Sequence, residues 1–183
     1  MILQANYFLR LKPNIITSCC GSLFSTETGG LASEMTALPS YPMKVVFYLS
    51  MALTLFSGAY YYFREKGVYL FACASGLNFF ISLASIISFI SVYFYELQTH
   101  HCPFCLLQKE YGYIGYALYA ALLGGTISGV GVGMLMPFRG TKSLAGIVPS
   151  IQRRLALVAI VLFLIFTVIV TYRMVFTDFV LDV

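Results

Sequence analysis

The chain has 183 residues, of which 60% are hydrophobic and only 10% are charged, and its mean hydropathy is +0.86. Because a soluble domain carries about 25% charged residues, this composition excludes a water-soluble globular protein and predicts an integral membrane protein of one domain. The formal net charge of +4 comes without a basic stripe interleaved with aromatic residues, so nothing indicates nucleic-acid binding.

The first 44 residues differ from the rest of the chain. They lack the sustained apolar core of a signal peptide. The stretch that follows Cys19 and Cys20 is rich in Ser, Thr and Gly, as expected of an irregular loop. We therefore predict an N-terminal arm over residues 1–44 and a helical membrane domain over residues 45–183.

Uncharged runs in the membrane domain predict helices that cross the bilayer, since a crossing takes about 20 residues. Four runs qualify: Val45–Phe63, Val68–Tyr95, Tyr113–Phe138 and Leu155–Tyr172. The fourth run is short, and we expect its helix to continue through Arg173, whose side chain would reach the membrane surface. The predicted fold class is all-α, a polytopic membrane helix bundle with four transmembrane helices.

Residues within these runs and at their ends give three further predictions. Small residues let helices approach closely in lipid, so we expect tight helix contacts at the glycines of the third run: Gly124, Gly125, Gly129, Gly131 and Gly133. Asn78, the only amide inside a run, should form a hydrogen bond to another helix. Tyrosines at the ends of the runs are typical of an aromatic belt at the membrane surface: Tyr60, Tyr61, Tyr62, Tyr93, Tyr95, Tyr111 and Tyr113.

The orientation in the membrane is predicted from the basic residues of the loops. The first and third connections share one side, with six basic residues: Arg64, Lys66, Arg139, Lys142, Arg153 and Arg154. The other side carries four: Arg10, Lys12, Lys44 and Lys109. This bias predicts that the first and third connections lie in the cytoplasm of a bacterial-type inner membrane. The N-terminal arm and the second connection are then extracytoplasmic, and Glu96 and Glu110 are solvated charges at span ends.

The second connection carries the strongest local signal, the run His-His-Cys-Pro-Phe-Cys at residues 100–105. Pro103 suits the first turn of a helix, because its missing N–H needs no partner there. Cys102 is then at the N-cap, where the helix dipole favours a thiolate, the reactive form of cysteine. Cys105 lies one helical turn further on, so the two sulfurs can form a disulfide. A structural disulfide or half of a zinc site would use the same pair, but a pair at a membrane surface favours redox chemistry.

From Cys102 the chain continues Pro-Phe-Cys-Leu-Leu-Gln-Lys into a span that contains glycine and tyrosine. This motif resembles that of the DsbB-type disulfide-forming membrane proteins, and the resemblance covers the second and third runs. It implies that Cys102 and Cys105 pass electrons to a membrane quinone. It also implies that Lys109 and Gln108 lie near that quinone.

A second cysteine pair, Cys19 and Cys20, precedes the motif. This order is similar to that of the vitamin K epoxide reductase family, in which the shuttle cysteines come first. Adjacent α-carbons are about 3.8 Å apart, whereas a relaxed disulfide needs roughly 4.4–6.8 Å. A strained vicinal disulfide and a mixed disulfide with Cys102 both stay open.

Two functions follow from these residues. The first is a membrane thiol–disulfide oxidoreductase that passes electrons between extracytoplasmic cysteines and a membrane quinone, with an extracytoplasmic thiol protein as its partner. The second is a small non-catalytic subunit of a membrane redox complex, whose cysteines form a structural disulfide or bind zinc or copper. The metal ligands would then be Cys19, Cys20, His101, Cys102 and Cys105.

Overall fold

The structure, a computed structural model, describes residues 40–96, 101–141 and 146–177. Within these ranges all regular structure is helical. Four segments are long and apolar enough to cross a membrane: Ser40–Arg64, Val68–Tyr95, Ile114–Gly140 and Val148–Phe176. We refer to them as the first to fourth spans. The predicted all-α bundle of a multi-pass membrane protein is therefore confirmed.

The four spans form a closed ring. Each span contacts the next along the chain, and the fourth contacts the first. Since short connections join antiparallel neighbours, the helix directions alternate. One end of the ring carries the Cys-Pro-Phe-Cys segment, and we refer to it as the motif end. Arg139 forms an ion pair with Glu65 at the opposite end, with Nη2 and Oε2 3.0 Å apart.

Aromatic side chains fill the centre of the ring. Phe47 of the first span contacts Phe89 of the second and Phe166 of the fourth, with ring centroids 5.9 and 6.0 Å apart. Large apolar residues also cover the outside of every span, among them Phe56, Phe80, Ile127 and Val168. Because exposing so much apolar surface to water is unfavourable, these outward residues face lipid.

The glycines of the third span permit close helix contacts, as predicted. A Cβ atom on Gly133 would lie only 2.5 Å from Cβ of Ala72 in the second span. A Cβ atom on Gly125 would lie 3.1 Å from the ring of Phe163 in the fourth span. Both neighbouring helices therefore occupy space that a larger residue would need.

Buried amides link neighbouring spans. Ser50 donates a hydrogen bond to Oδ1 of Asn78 at 2.9 Å, which confirms the interhelical bond predicted for Asn78. Gln152 is fully buried, and its Nε2 donates to the carbonyl of Val132 at 2.8 Å. The sequence prediction missed this residue because it began the fourth span at Leu155 rather than Val148.

The second span changes helix type close to the motif end. An α-helix, Val68–Ser85, is followed by a π-helical turn, Ile86–Ile90, and by a short α-helix, Ser91–Tyr95. Inserted π turns are rare in helices and are frequent at functional sites. One backbone carbonyl of this turn, that of Ile87, contacts the connection that follows.

The predicted tyrosine belt is wrong for three of its members. Tyr61, Tyr93 and Tyr95 are buried in the bundle, whereas Tyr60 and Tyr113 are about half exposed at span ends. The sequence prediction used distance along the run alone, but burial also depends on which side of the helix a residue occupies. The inward tyrosines bring hydroxyl groups into the ends of the bundle.

Candidate functional site

The Cys-Pro-Phe-Cys segment forms a short helix of its own. Cys102 has extended backbone angles and is the N-cap of a five-residue 3₁₀ helix, Pro103–Leu107, with proline at its start. The residue before a proline favours this extended conformation. The predicted N-cap position of Cys102 is therefore confirmed.

Two residues with left-handed backbone angles separate the segment from the third span. Gln108 is extended, a second 3₁₀ turn covers Lys109–Tyr111, and Gly112 and Tyr113 have φ angles of 63° and 57°. The spanning helix begins only at Ile114. Because the 3₁₀ helix at Cys102 is so short, its dipole is weaker than that of a whole spanning helix.

Both cysteines of the motif lie inside the bundle surface. Cys102 is 1% exposed and Cys105 is 6% exposed, whereas Phe104 between them is 60% exposed. Leu106 lies directly on the third span, because a Cβ atom on Gly115 would come within 2.8 Å of the Leu106 carbonyl. The segment therefore lies flat against the helices, and both cysteine side chains are buried.

Two tyrosines from different spans hold the backbone of the segment. The hydroxyl of Tyr95, at the end of the second span, donates to the carbonyl of Cys102 at 2.5 Å. The hydroxyl of Tyr119, in the third span, donates to the carbonyl of Pro103 at 2.7 Å. The two hydrogen bonds fix consecutive peptide groups from opposite sides.

His101 contacts the π turn. Its Nδ1 lies 3.0 Å from the carbonyl oxygen of Ile87, within the turn Ile86–Ile90. A carbonyl only accepts hydrogen bonds, so Nδ1 carries the proton in this contact. In the neutral ring Nε2 is then the basic nitrogen. The irregular helix thereby determines the tautomer of the residue next to Cys102.

A cavity of about 330 Å³ opens beside the segment at the motif end. Its lining consists of Phe94, Glu110, Tyr111, Gly112, Ile114 and Arg173. The ring of Tyr111 also contacts that of Tyr95 at 4.6 Å between centroids. Tyr111, which lines the cavity, therefore contacts Tyr95, whose hydroxyl donates to the Cys102 carbonyl.

Arg173 supplies the positive charge of this cavity. One guanidinium nitrogen lies 2.9 Å from Oε1 of Glu96 and 3.4 Å from the carbonyl of Phe94. Its Nε is buried and has no hydrogen-bond partner within the described ranges. The helix of the fourth span does continue past Arg173, as predicted. Glu96, predicted to be a solvated end charge, is instead half-exposed and paired.

Burial raises the pKa of Tyr111 above its usual value, and the nearby Cys105 and Glu110 groups raise it further. The phenol of Tyr111 therefore stays protonated at neutral pH. A protonated phenol at the cavity wall remains a hydrogen-bond donor.

The other predicted site residues have different outcomes. Gln108 and Lys109 are exposed on the surface of the connection and are not part of the cavity lining. Cys19 and Cys20 lie outside the described residues, so their predicted shuttle role stays a prediction. Cys73 is exposed on the outer surface of the second span.

The structure brings together no metal-binding group of three His, Cys, Asp or Glu side chains within residues 40–96, 101–141 and 146–177. His101, Cys102 and Cys105 therefore do not form such a group by themselves. The predicted zinc or copper site also requires Cys19 and Cys20, so it stays a prediction.

Comparison with protein-family models, curated proteins and solved structures found no match to this chain. The resemblance to quinone-linked thiol oxidoreductases therefore rests on the motif alone. The residues that sequence reasoning did not assign to the site are Tyr95, Tyr119 and Arg173, each of which comes from a span rather than from the motif.

Proposed function

We propose that the chain is a membrane thiol–disulfide oxidoreductase that transfers electrons from an extracytoplasmic dithiol protein to a membrane quinone. The observation that carries this proposal is the Cys-x-x-Cys turn held between the hydroxyls of Tyr95 and Tyr119, beside a cavity at the end of the bundle. Cys102 and Cys105 are the reacting groups. The membrane is a bacterial-type inner membrane, with the motif end extracytoplasmic.

The reaction has two balanced halves. The partner dithiol reduces the Cys102–Cys105 disulfide by thiol exchange, so two S–H bonds form here and one S–S bond forms in the partner. Cys102 and Cys105 then give two electrons and two protons to the quinone, which restores their disulfide and yields a quinol. Cys19 or Cys20 relays the exchange between the buried Cys102 and the partner.

The cavity beside the segment fits one edge of a quinone. Phe94 and Ile114 supply apolar walls, while the phenol of Tyr111 and the guanidinium of Arg173 supply hydrogen-bond donors. Ligand sites commonly combine apolar walls with a few polar groups that fix orientation. The guanidinium of Arg173, which lines the cavity, is the proposed donor to a carbonyl oxygen.

The burial of Cys102 and Cys105 is the specific observation that favours a second candidate function. Thiols that take part in exchange are usually accessible, whereas structural cysteines are buried. The second candidate is a non-catalytic subunit of a membrane redox complex, with these cysteines in a structural disulfide or a zinc or copper site. Metal analysis of the pure full-length protein checks the metal form of this candidate, for which stoichiometric zinc or copper is expected.

The test of the first candidate measures quinone reduction by the full chain in lipid nanodiscs, with a dithiol as donor and a short-chain quinone analogue as acceptor. Cys102→Ser and Cys105→Ser should each abolish the protein-dependent rate. Cys73→Ser is the matched control, because it makes the same change at an exposed site in the second span and should retain the rate. Unchanged turnover in Cys102→Ser would contradict the proposed function.

A further inference from the structure

A second cavity, of about 340 Å³, lies at the opposite end of the bundle from the motif. It is formed by the end of the first span and the beginning of the fourth. Its lining residues are Tyr62, Glu65, Pro149, Ser150, Arg153, Arg154 and Leu157. No residue of the proposed redox site contributes to it, so it needs an explanation of its own.

The charge of this cavity is positive. Glu65 is the one acidic residue in the lining, and its carboxylate is paired with Arg139 at 3.0 Å. Within the described residues, neither Arg153 nor Arg154 forms a salt bridge. Two adjacent guanidinium groups without a carboxylate partner form a site for an anion, and guanidinium geometry suits phosphate oxygens in particular.

One of the two guanidinium groups has a defined position. The guanidinium carbon of Arg153 lies 4.6 Å from the centroid of the Tyr62 ring in the first span. Such a cation–π contact orients the guanidinium group without using its N–H donors. Those donors remain available to a ligand in the cavity.

An apolar stripe leads from this cavity along the lipid-facing side of the fourth span. Leu157 lies one turn beyond Arg153, and residues at three- or four-residue spacing share a face of a helix. The stripe continues at the same spacing and consists of residues that are between 45% and 64% exposed: Leu157, Val161, Leu164 and Val168. A ligand with a phosphate in the cavity could therefore extend a hydrocarbon chain along this face.

We propose that this cavity binds the phosphate of an anionic phospholipid, with an acyl chain along the stripe that starts at Leu157. Basic pockets between membrane helices are known to hold acidic headgroups. A soluble phosphate compound shares the headgroup chemistry but has no hydrocarbon chain to pack along the stripe. The proposal does not depend on the redox function of the motif end.

The experiment measures lipid retention by native mass spectrometry of the full chain, titrated with dioleoyl phosphatidylglycerol or with zwitterionic dioleoyl phosphatidylcholine. A hydrogen bond to a charged group contributes about 1.5–3 kcal/mol, so the double variant R153Q/R154Q should weaken phosphatidylglycerol binding at least about 10-fold. The matched control, R64Q/K66Q, removes the same charge at the same end from exposed residues outside the lining. It should change the affinity less than about 3-fold.

Any of three results would overturn the proposal. Equal losses in both double variants would assign the binding to general surface charge, and retention in R153Q/R154Q would exclude the cavity as the site. Free glycerol phosphate distinguishes the source of the phosphate: it should not displace the lipid at millimolar concentration, and displacement would assign the site to a soluble compound. R153K/R154K keeps the charge but loses the guanidinium geometry, so its affinity should lie between those of wild type and R153Q/R154Q. This partial retention guards against a loss caused by misfolding.

Discussion

The hydrogen bond from Tyr119 to the Pro103 carbonyl gives a direct test of how the motif is held. Tyr119→Phe removes the hydroxyl and leaves that carbonyl without its partner when the segment lies against the bundle. Leaving a buried acceptor unsatisfied costs about 1–3 kcal/mol. The open form, in which water solvates the carbonyl, does not bear this cost. The variant should therefore raise the population of the open form between about 5-fold and about 150-fold.

The rate at which a maleimide labels Cys102 reports this population, because Cys102 is only 1% exposed in the closed form. Labelling is measured in a chain whose other four cysteines are replaced by serine, under conditions where opening and closing are faster than labelling. Tyr116→Phe is the matched control, since it removes a hydroxyl from the same span at a residue that is 61% exposed. It should leave the rate within about 2-fold.

Equal labelling rates in the single-cysteine chain and in its Tyr119→Phe and Tyr116→Phe variants would refute the reasoning. That result would mean either that the Tyr119 bond does not hold the segment or that Cys102 reacts without opening. A rise of the same size in both variants would also refute it. The general loss of a tyrosine hydroxyl, rather than the specific bond to the carbonyl of Pro103, would then be the cause.

Two further predictions concern packing and pH. Gly133→Ala should destabilise the bundle by about 1–3 kcal/mol relative to Gly131→Ala. A Cβ at residue 133 would lie 2.5 Å from Cβ of Ala72, whereas a Cβ at residue 131 would lie 3.8 Å from its nearest neighbouring atom. Unfolding in mixed detergent measures the difference, and equal stabilities would contradict it. Since burial raises the pKa of Tyr111 from 10.0, an unfolded chain ionises this phenol before the folded one does. Stability should therefore fall as pH rises above 10, and more steeply in wild type than in Tyr111→Phe. Thermal unfolding between pH 8 and 11 measures both dependences, and parallel curves for the two proteins would exclude Tyr111 as the cause.

The spans could be predicted because crossing a membrane depends mainly on the length and apolarity of a run. The second run, Val68–Tyr95, was predicted with the bounds that the structure has. The fourth span begins earlier than predicted, at Val148, because its helix continues beyond the hydrocarbon layer and carries Arg153 and Arg154 in its first turns. Hydropathy marks where a membrane begins, whereas backbone hydrogen bonding decides where a helix begins.

The burial of the motif could not be predicted in the same way. In a membrane bundle both the inward and the outward faces of a helix are apolar, so the pattern does not indicate that Tyr95 and Tyr119 point at the motif. One local signal was present: Gly112, directly before the third span, is a residue type that favours left-handed angles and commonly ends helices. It separates the 3₁₀ turns from the spanning helix, and with them Cys102 from the dipole of that helix.

The two candidate functions can be distinguished by the free energy needed to expose the buried Cys102. Three hydrogen bonds to neutral groups hold the segment, from Tyr95, Tyr119 and His101, and each contributes about 1 kcal/mol net. A local opening that frees Cys102 while Leu106 stays packed on the third span then costs about 3 kcal/mol, which slows reaction at Cys102 by a factor on the order of 100. Such a penalty still permits turnover once a relay thiol is tethered nearby, because tethering gives millimolar effective concentrations. A structural staple has no need to open, so a wild-type protection factor far above 1,000 would favour the non-catalytic subunit over the oxidoreductase.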